Sequence, residues 1–321
     1  MREVTGRSAL VTGGAGFIGS NLVRRLLDAG WSVRVLDNFA TGLRENLTEV
    51  ASEIDLAEGD IQSYERVHNA VRGCDVVFHL AALGSVPRSI QDPLTTNAIN
   101  VTGTLNVLLA ARDEMVQRVI FSSSSSLYGR EADLPQREDQ PTGPIAPYAV
   151  AKLAAEGYCR AFSNVYEMET VALRYFNVFG PRQDSRSQYA AVIPRFIGAF
   201  LDGQSPVIDG DGQQSRDFTY IDNAVDANLL AVSAPEASGR SFNIACGEAH
   251  TVNFLAGELS RLTDATTEPI HGPPRPGDVD HSVADISQAR ELLGYEPKVG
   301  LTEGLRRTLA WHEAGRAEYA T

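Results

Sequence analysis

Tyr148 and Lys152 stand four residues apart in Pro147-Tyr148-Ala149-Val150-Ala151-Lys152, at the start of a stretch that reads as a helix. On a helix these positions lie one turn apart on the same face, so phenol and ammonium can point into one site. A cation there favours the phenolate. With an unperturbed pKa of about 10, tyrosine needs such a neighbour to act as a base near neutral pH. The pair alone has little specificity, because Tyr and Lys four apart occur on many amphipathic helices; upstream residues give it meaning. Ser122 to Ser126, then Leu127-Tyr128-Gly129, come just past an apolar strand over 118–121. A flexible linker would not sit between a strand and an aromatic-Gly turn. The run is therefore placed in a loop at the C-terminal edge of a parallel sheet, where open α/β folds bind ligands. A serine hydroxyl there can hold a substrate hydroxyl against Tyr148.

The elements that must position these groups begin with a short apolar strand over 8–12. Gly13-Gly14-Ala15-Gly16-Phe17-Ile18-Gly19 follows, then an amphipathic helix through about Ala29. Strand, glycine-rich turn and helix start make the phosphate-binding geometry of a Rossmann unit: glycines let backbone approach a pyrophosphate, and the helix N-terminus offers unsatisfied N–H groups. The spacing is Gly-x-x-Gly-x-x-Gly rather than Gly-x-Gly-x-x-Gly, so context carries the assignment. A second strand, 32–36, ends in Asp37, about 20 residues past the turn, where a carboxylate can accept from both ribose hydroxyls of NAD and repel a 2′-phosphate. Asn38 and Phe39 follow with no arginine, which favours NAD over NADP. Strand 54–58 ends in Gly59-Asp60-Ile61, where a carboxylate can read an adenine amine. A helix over 62–72 and a strand over 74–80 lead to Ala81-Ala82, small enough for backbone to approach a flat cofactor. His79, inside that strand, reads as a packed core histidine.

Beyond a helix over 92–112, the Tyr148 helix to about Tyr166 and a strand over 169–174, the strict alternation loosens into short helices such as 190–203, broken by turns. The expected fold is α/β: a Rossmann-type doubly wound parallel sheet with a smaller mixed α/β C-terminal substrate lobe. Residues 1–180 would form the NAD-binding domain, 221–245 would return a helix and strand to it, and 181–220 with 246–321 would form the lobe. Arg216 before Asp217-Phe218, and Arg275 before Pro276-Gly277-Asp278, lie in turn-like contexts. An arginine fork suits a diphosphate and an acid beside it a ribose diol, although a surface ion pair fits each equally well.

Composition narrows the classes. A formal charge of −13 argues against broad nucleic-acid binding, which needs a basic footprint. The first residues lack the apolar core of a signal peptide and no run of about 18 apolar residues follows, so no membrane association and a cytoplasmic location are expected. Cys74, Cys159 and Cys246 are widely spaced and read as reduced thiols, and the histidines show no ligand spacing, so no metal is expected.

Taken together, these residues resemble the extended short-chain dehydrogenases/reductases, most closely their nucleotide-sugar 4-epimerases. The resemblance runs through Thr12 to Gly19, Asp37-Asn38, Gly59-Asp60, His79 to Ala82, Ser122 to Ser124 with Tyr128-Gly129, Tyr148 with Lys152, Arg174 to Asn177, Arg216 to Phe218 and Arg275 to Asp278. The segments 82–89 and 189–194 look like the bacterial subgroup acting on UDP-N-acetylhexosamines. The family implies NAD held by Gly13, Gly16, Phe17, Ile18, Gly19, Asp37, Asn38, Asp60, Ile61, Ala81, Ala82, Asn100, Tyr148 and Lys152. It implies catalysis by Tyr148 as the base for the sugar 4-hydroxyl, Lys152 bridging Tyr148 and the nicotinamide ribose, and Ser124 on the 4-oxygen. It implies a UDP-sugar contacted by Ser85, Ser124, Tyr148, Asn177, Val192, Arg216, Arg275 and Asp278, and a homodimer whose helices 92–112 and 147–166 pair into a four-helix bundle. Ser125 and Ser126 stand where related dehydratases carry an Asp-Glu pair and decarboxylases a glutamate, which favours simple epimerisation. Non-catalytic NAD-binding relatives lose the Tyr/Lys pair, which this chain keeps. Ser282, at the position that sets pocket volume, leaves room for a 2-acetamido group without excluding glucose. Arg186 keeps a third substrate open, since a cation there could pair with the carboxylate of UDP-glucuronate.

Overall fold

The computed structural model describes residues 6–184, 191–274 and 279–319. Strands β1 (Ser8–Thr12), β2 (Ser32–Asp37), β3 (Ile54–Glu58), β4 (Val76–His79), β5 (Arg118–Ser124) and β6 (Glu169–Tyr175) are connected by helices α1 (Phe17–Asp28), α2 (Tyr64–Val71), α3 (Val86–Gln91), α4 (Pro93–Asn97), α5 (Thr104–Asp113) and α6 (Pro147–Tyr166), with a 3₁₀ segment at Arg44–Val50 between β2 and β3. A parallel sheet needs crossover helices on its faces and is buried on both. Its strands therefore divide their apolar residues with a period of two. Val11, Val35, Phe78 and Ile120 enter one core with Leu22, Val23 and Leu26 of α1. Leu10, Leu36, Val77 and Phe121 enter the other, with Val67 and Val71 of α2, Leu108 of α5 and Phe162 of α6.

Past β6 come β7 (Val178–Phe179), α7 (Val192–Leu201), β8 (Val207–Asp209), β9 (Ser215–Asp217), β10 (Thr219–Tyr220), α8 (Ile221–Ser233) and β11 (Arg240–Ile244). Strand β11 pairs in parallel with β6, so the main sheet runs β11-β6-β5-β4-β1-β2-β3. The order reverses direction between β1 and β4, and that switch point opens a crevice at the strands' C-terminal ends. Among the described residues the smaller lobe holds three two-stranded pairs: β7 with β10, β9 with β12 (Ala249–Thr251), and β8 with β13 (Ile270–Gly272). Its helices are α7, α9 (Val252–Leu262), α10 (Ser287–Leu293) and α11 (Leu301–Tyr319). Phe196, Phe218, Leu255 and Tyr295 continue the core that α1 and α8 share, which seats the lobe on that side.

Two local expectations change. Ser122, Ser123 and Ser124 are strand residues, in register with Leu173, Arg174 and Tyr175, so the serine run is the end of β5 and only Ser125–Leu127 turns away. The helix expected over 92–112 contains a π-helical turn at Ala98–Gly103, between α4 and α5. Such widened turns put an extra residue into a helix face and often mark functional sites.

Candidate active site

At the end of β1 the chain turns through Gly13, whose φ of +70° suits glycine, and a Cβ there would lie 2.7 Å from the Ala81 amide nitrogen. A Cβ on Gly19 would collide with the Gly13 carbonyl oxygen. These two glycines let α1 begin against the turn, with Gly16 as its N-cap and no side chain closing its end. The helix N-terminus thus faces a cleft of about 430 Å³, lined by Gly13, Gly16, Phe17, Ile18 and Gly19. Asp37, Asn38, Asp60, Ile61, Ala81, Ala82, Ser85 and Tyr148 line the same cleft.

The Asp37 carboxylate sits at the tip of β2. Ala15 N–H donates to its Oδ2 at 2.9 Å and Phe39 N–H to its Oδ1 at 2.8 Å. Each oxygen keeps a further lone-pair direction for a ligand diol. Burial pushes its pKa up, and the Phe39, Ala15 and Asn38 backbone groups pull it back. Asp37→Ala should weaken dinucleotide binding by about 10–100-fold, the worth of hydrogen bonds to a charged group; isothermal titration measures it, and unchanged affinity would remove Asp37 from the site. Asp60 is held in place by Asn38, whose Nδ2 donates to it at 2.8 Å, and by the Gln62 N–H.

The cleft's back wall, residues 80–84, hangs on a buried polar chain. Thr104 Oγ1 donates to the Asn100 carbonyl at 2.7 Å and lies 2.9 Å from His79 Nε2, while Thr12 Oγ1 lies 2.7 Å from His79 Nδ1. Donor counting therefore puts the His79 proton on Nε2. Burial first, and the Lys152 charge second, push the His79 pKa down to about 3, so it is a neutral core histidine as its sequence context suggests. Asn100, expected at the cofactor, has its amide bonded to the wall: its Oδ1 accepts from Leu83 N–H at 2.8 Å and its Nδ2 donates to Leu83 O at 3.1 Å. It ties the wall to the π-helical turn.

Tyr148 and Lys152 both lie on the first turns of α6, as the i,i+4 argument requires. Ser124, at the end of β5, has its hydroxyl beside the Tyr148 phenol and 2.9 Å from Ser126 Oγ. Lys152, 3% exposed, donates to the Ser122 carbonyl at 2.6 Å and lies 4.9 Å from the centre of the Phe121 ring. Burial pushes the Tyr148 phenol above its ordinary value, and what pulls it back is Ser124. Lys152 gives one of its three N–H donors to the strand backbone.

Burial also pushes Lys152 down to about 8. Below that pH folded and unfolded chains both carry the proton, and the cost of the buried charge is full. Between 8 and its ordinary 10.5 the unfolded chain binds more protons, so this group's contribution to stability improves as pH rises. Urea unfolding of the NAD-free protein should therefore show wild type gaining on Lys152→Met from about pH 7 to 10. A constant difference would rule the shift out.

A second cleft, of about 210 Å³, is lined by Asn177, Val192 and Arg216 together with Phe196, Phe218 and Val252. Asn177 Nδ2 donates to Asp217 O at 2.9 Å, and Arg216 Nη1 to the Ser215 and Asp280 carbonyls. The acid beside Arg216 does not face a ligand. Asp217 is fully buried and accepts from the N–H groups of Cys246, Gly247 and Ala284, which fastens the lobe's turns together. Arg186, Arg275 and Asp278 lie outside the described residues. Sequence reasoning missed Thr41, Leu43, Asn46, Arg88 and Arg182, which also line the larger cleft. They come from connecting segments without periodicity or glycine punctuation, and only the proximity of Arg182 to Gly180-Pro181 could have flagged one. Among the described residues no group of His, Cys, Asp or Glu could hold a metal ion, and the three cysteines are unpaired.

Residues 9–245 match the model of the NAD dependent epimerase/dehydratase family. The UDP-glucose 4-epimerase of Mycolicibacterium smegmatis is 38% identical over 304 residues, 94% of this chain and 96% of that protein. Among solved structures, UDP-glucose 4-epimerase of Thermotoga maritima, with UDP-glucose, superposes with a TM-score of 0.92 at 38% identity, covering 96% of this chain and 99% of that one. A UDP-N-acetylglucosamine 4-epimerase of Methanobrevibacter ruminantium, in complex with UDP-N-acetylmuramic acid, gives 0.92 at 39% identity, covering 97% and 100%. With its glycine cradle, its acid at the tip of β2 and a match over most of its length, this chain belongs to the NAD-dependent epimerase/dehydratase family.

Proposed function

We propose that the chain is a UDP-sugar 4-epimerase that inverts C4 through a transient 4-keto sugar. The observation that carries this reading is the placement of Tyr148 in the wall of the glycine-cradled cleft, with the Ser124 hydroxyl beside its phenol. Bound NAD supplies the hydride acceptor and, when oxidised, a positive ring charge. Tyr148 takes the 4-hydroxyl proton as C4 is oxidised and returns it when the ketone is reduced from its other face. Ser124 donates to the 4-oxygen, and Lys152 fixes the strand end that carries it. Asn177, Val192 and Arg216, in the second cleft, take the UDP portion with Arg275 and Asp278, and Ser85 meets the sugar. The side chains of Ser125 and Ser126 supply no carboxyl group for eliminating water or for promoting decarboxylation.

UDP-N-acetylhexosamine is favoured over UDP-hexose by the hexosamine-like segments 82–89 and 189–194 and by the small side chain of Ser282. Assaying UDP-GlcNAc, UDP-glucose and UDP-glucuronate side by side tests the choice, and turnover of none of them sinks the epimerase reading. Activity confined to UDP-glucuronate, and lost in Arg186→Ala, would move the assignment to the uronate. The exposed Ile90, Leu94 and Val150 on α3, α4 and α6, with Leu94 82% exposed, support a homodimer through these helices. Light scattering that gives a monomer mass would end that part of the proposal.

A further inference from the structure

Three successive residues at the end of β5 are each held by a different turn of α6. Ser124 lies beside Tyr148, the Ser122 carbonyl accepts from Lys152, and Ser123 Oγ donates to Glu156 Oε2 at 2.7 Å. Tyr148, Lys152 and Glu156 are i, i+4 and i+8, one stripe on the helix. Glu156 is 1% exposed, and such a buried carboxylate is costly unless its lone pairs are filled. Arg174 of β6 fills two directions, Nη2 to Oε1 at 2.6 Å and Nε to Oε2 at 3.1 Å. Ser241 of β11 donates to Oε1 at 2.8 Å. Arg174 also donates to the Tyr128 hydroxyl at 2.8 Å, which donates to Asn243 at 2.7 Å. The carboxylate is thus tied to β6 and β11, rigid strands of the sheet, and passes that rigidity to Ser123. Ser124 is the next residue on the same extended strand end, so where Ser123 is pinned limits where the Ser124 hydroxyl emerges beside Tyr148.

We infer that Glu156 is a positioning residue, which through Ser123 fixes the end of β5 so that the Ser124 hydroxyl stays against the Tyr148 phenol. The inference rests on the epimerase reading above for its catalytic consequence, but the geometry it asserts is open to a measurement that needs no turnover. Glu156→Gln leaves the buried Arg174 charge without its partner and endangers the fold, so the test is carried by Ser123→Ala, which removes one neutral donor. Ser241→Ala, which removes the donor on the far side of the same carboxylate, is the control. With the NAD-loaded protein, Ser123→Ala should lower kcat by about ten-fold with KM for the UDP-sugar within about two-fold, the pattern of a misplaced reacting group. Ser241→Ala should keep the wild-type kcat.

The second readout is the titration of Tyr148, followed as phenolate absorbance in the difference from Tyr148→Phe. Ser123→Ala should raise the Tyr148 pKa, because the Ser124 hydroxyl is what lowers it, and Ser241→Ala should not. A purely structural role for Glu156 would lower the melting temperature of both serine variants alike and shift neither readout. Wild-type kcat and wild-type titration in Ser123→Ala would overturn the inference. If wild type turns over no UDP-sugar, the functional reading fails on its own, and the phenolate titration alone decides the positioning.

Discussion

Tyr148→Phe should lower epimerisation by about 10²–10⁴-fold, the usual contribution of a positioned acid or base, while the protein stays folded and keeps its NAD. The substitution removes one oxygen from a residue that Lys152 does not bond. The bonds that shape its surroundings, Lys152 to Ser122 and Glu156 to Ser123, survive it. Because the phenol is raised by burial and only partly brought back by Ser124, wild-type turnover should also climb with pH until the phenolate is populated. Tyr148→Phe would lack that rise in whatever residual rate it has. Turnover measured by separating the two UDP-sugars, alongside nucleotide released on denaturation, checks both parts. A variant that turns over normally would be incompatible with the role given to Tyr148.

Arg174→Met should cost about 3–5 kcal/mol of stability, because it leaves the Glu156 carboxylate buried without its cation. Single domains hold only about 5–15 kcal/mol in total, so the loss takes a large share of it. Arg174 and Glu156 are 4% and 1% exposed, and no solvent screens the pair. Burial works against the Glu156 charge, yet the Arg174 guanidinium, with the Ser123 and Ser241 hydroxyls, holds its carboxyl below the ordinary range. The pair's contribution is therefore present above the ordinary carboxyl value of 4.5 and is lost as pH falls through the lower folded value. The difference between wild type and Arg174→Met should shrink in that acid window. Adding Glu156→Met to Arg174→Met should recover much of the loss, since apolar replacement of both partners removes the stranded charge. Urea unfolding at fixed NAD concentration measures all three; equal midpoints for wild type and Arg174→Met would mean the pair contributes nothing.

Much of the site was legible before any fold was seen, for reasons that are local. Gly13, Gly16 and Gly19 mark a turn because backbone must pass where a Cβ cannot, and the strand before it and helix after it follow from periodicity. Asp37 falls at the tip of β2 because strand length and side-chain alternation leave few other places for it. Tyr148 and Lys152 share a face because a helix repeats every 3.6 residues. Each of these conclusions uses a handful of neighbouring residues.

What the chain's own order determined, then, is the parallel sheet's repeating units, the glycine cradle with its acid, and the placing of Tyr148 and Lys152 on one turn of helix. What only the tertiary structure decided is which partner each buried polar group meets. Lys152 finds the Ser122 carbonyl, Asn100 finds the backbone of Leu83, Asp217 finds three amides of the smaller lobe, and Glu156 finds Arg174 and Ser123. The physical reason is that a periodic pattern states which side of an element a residue occupies. Desolvation forces every buried donor and acceptor to be matched, and the match comes from strands and helices tens of residues away.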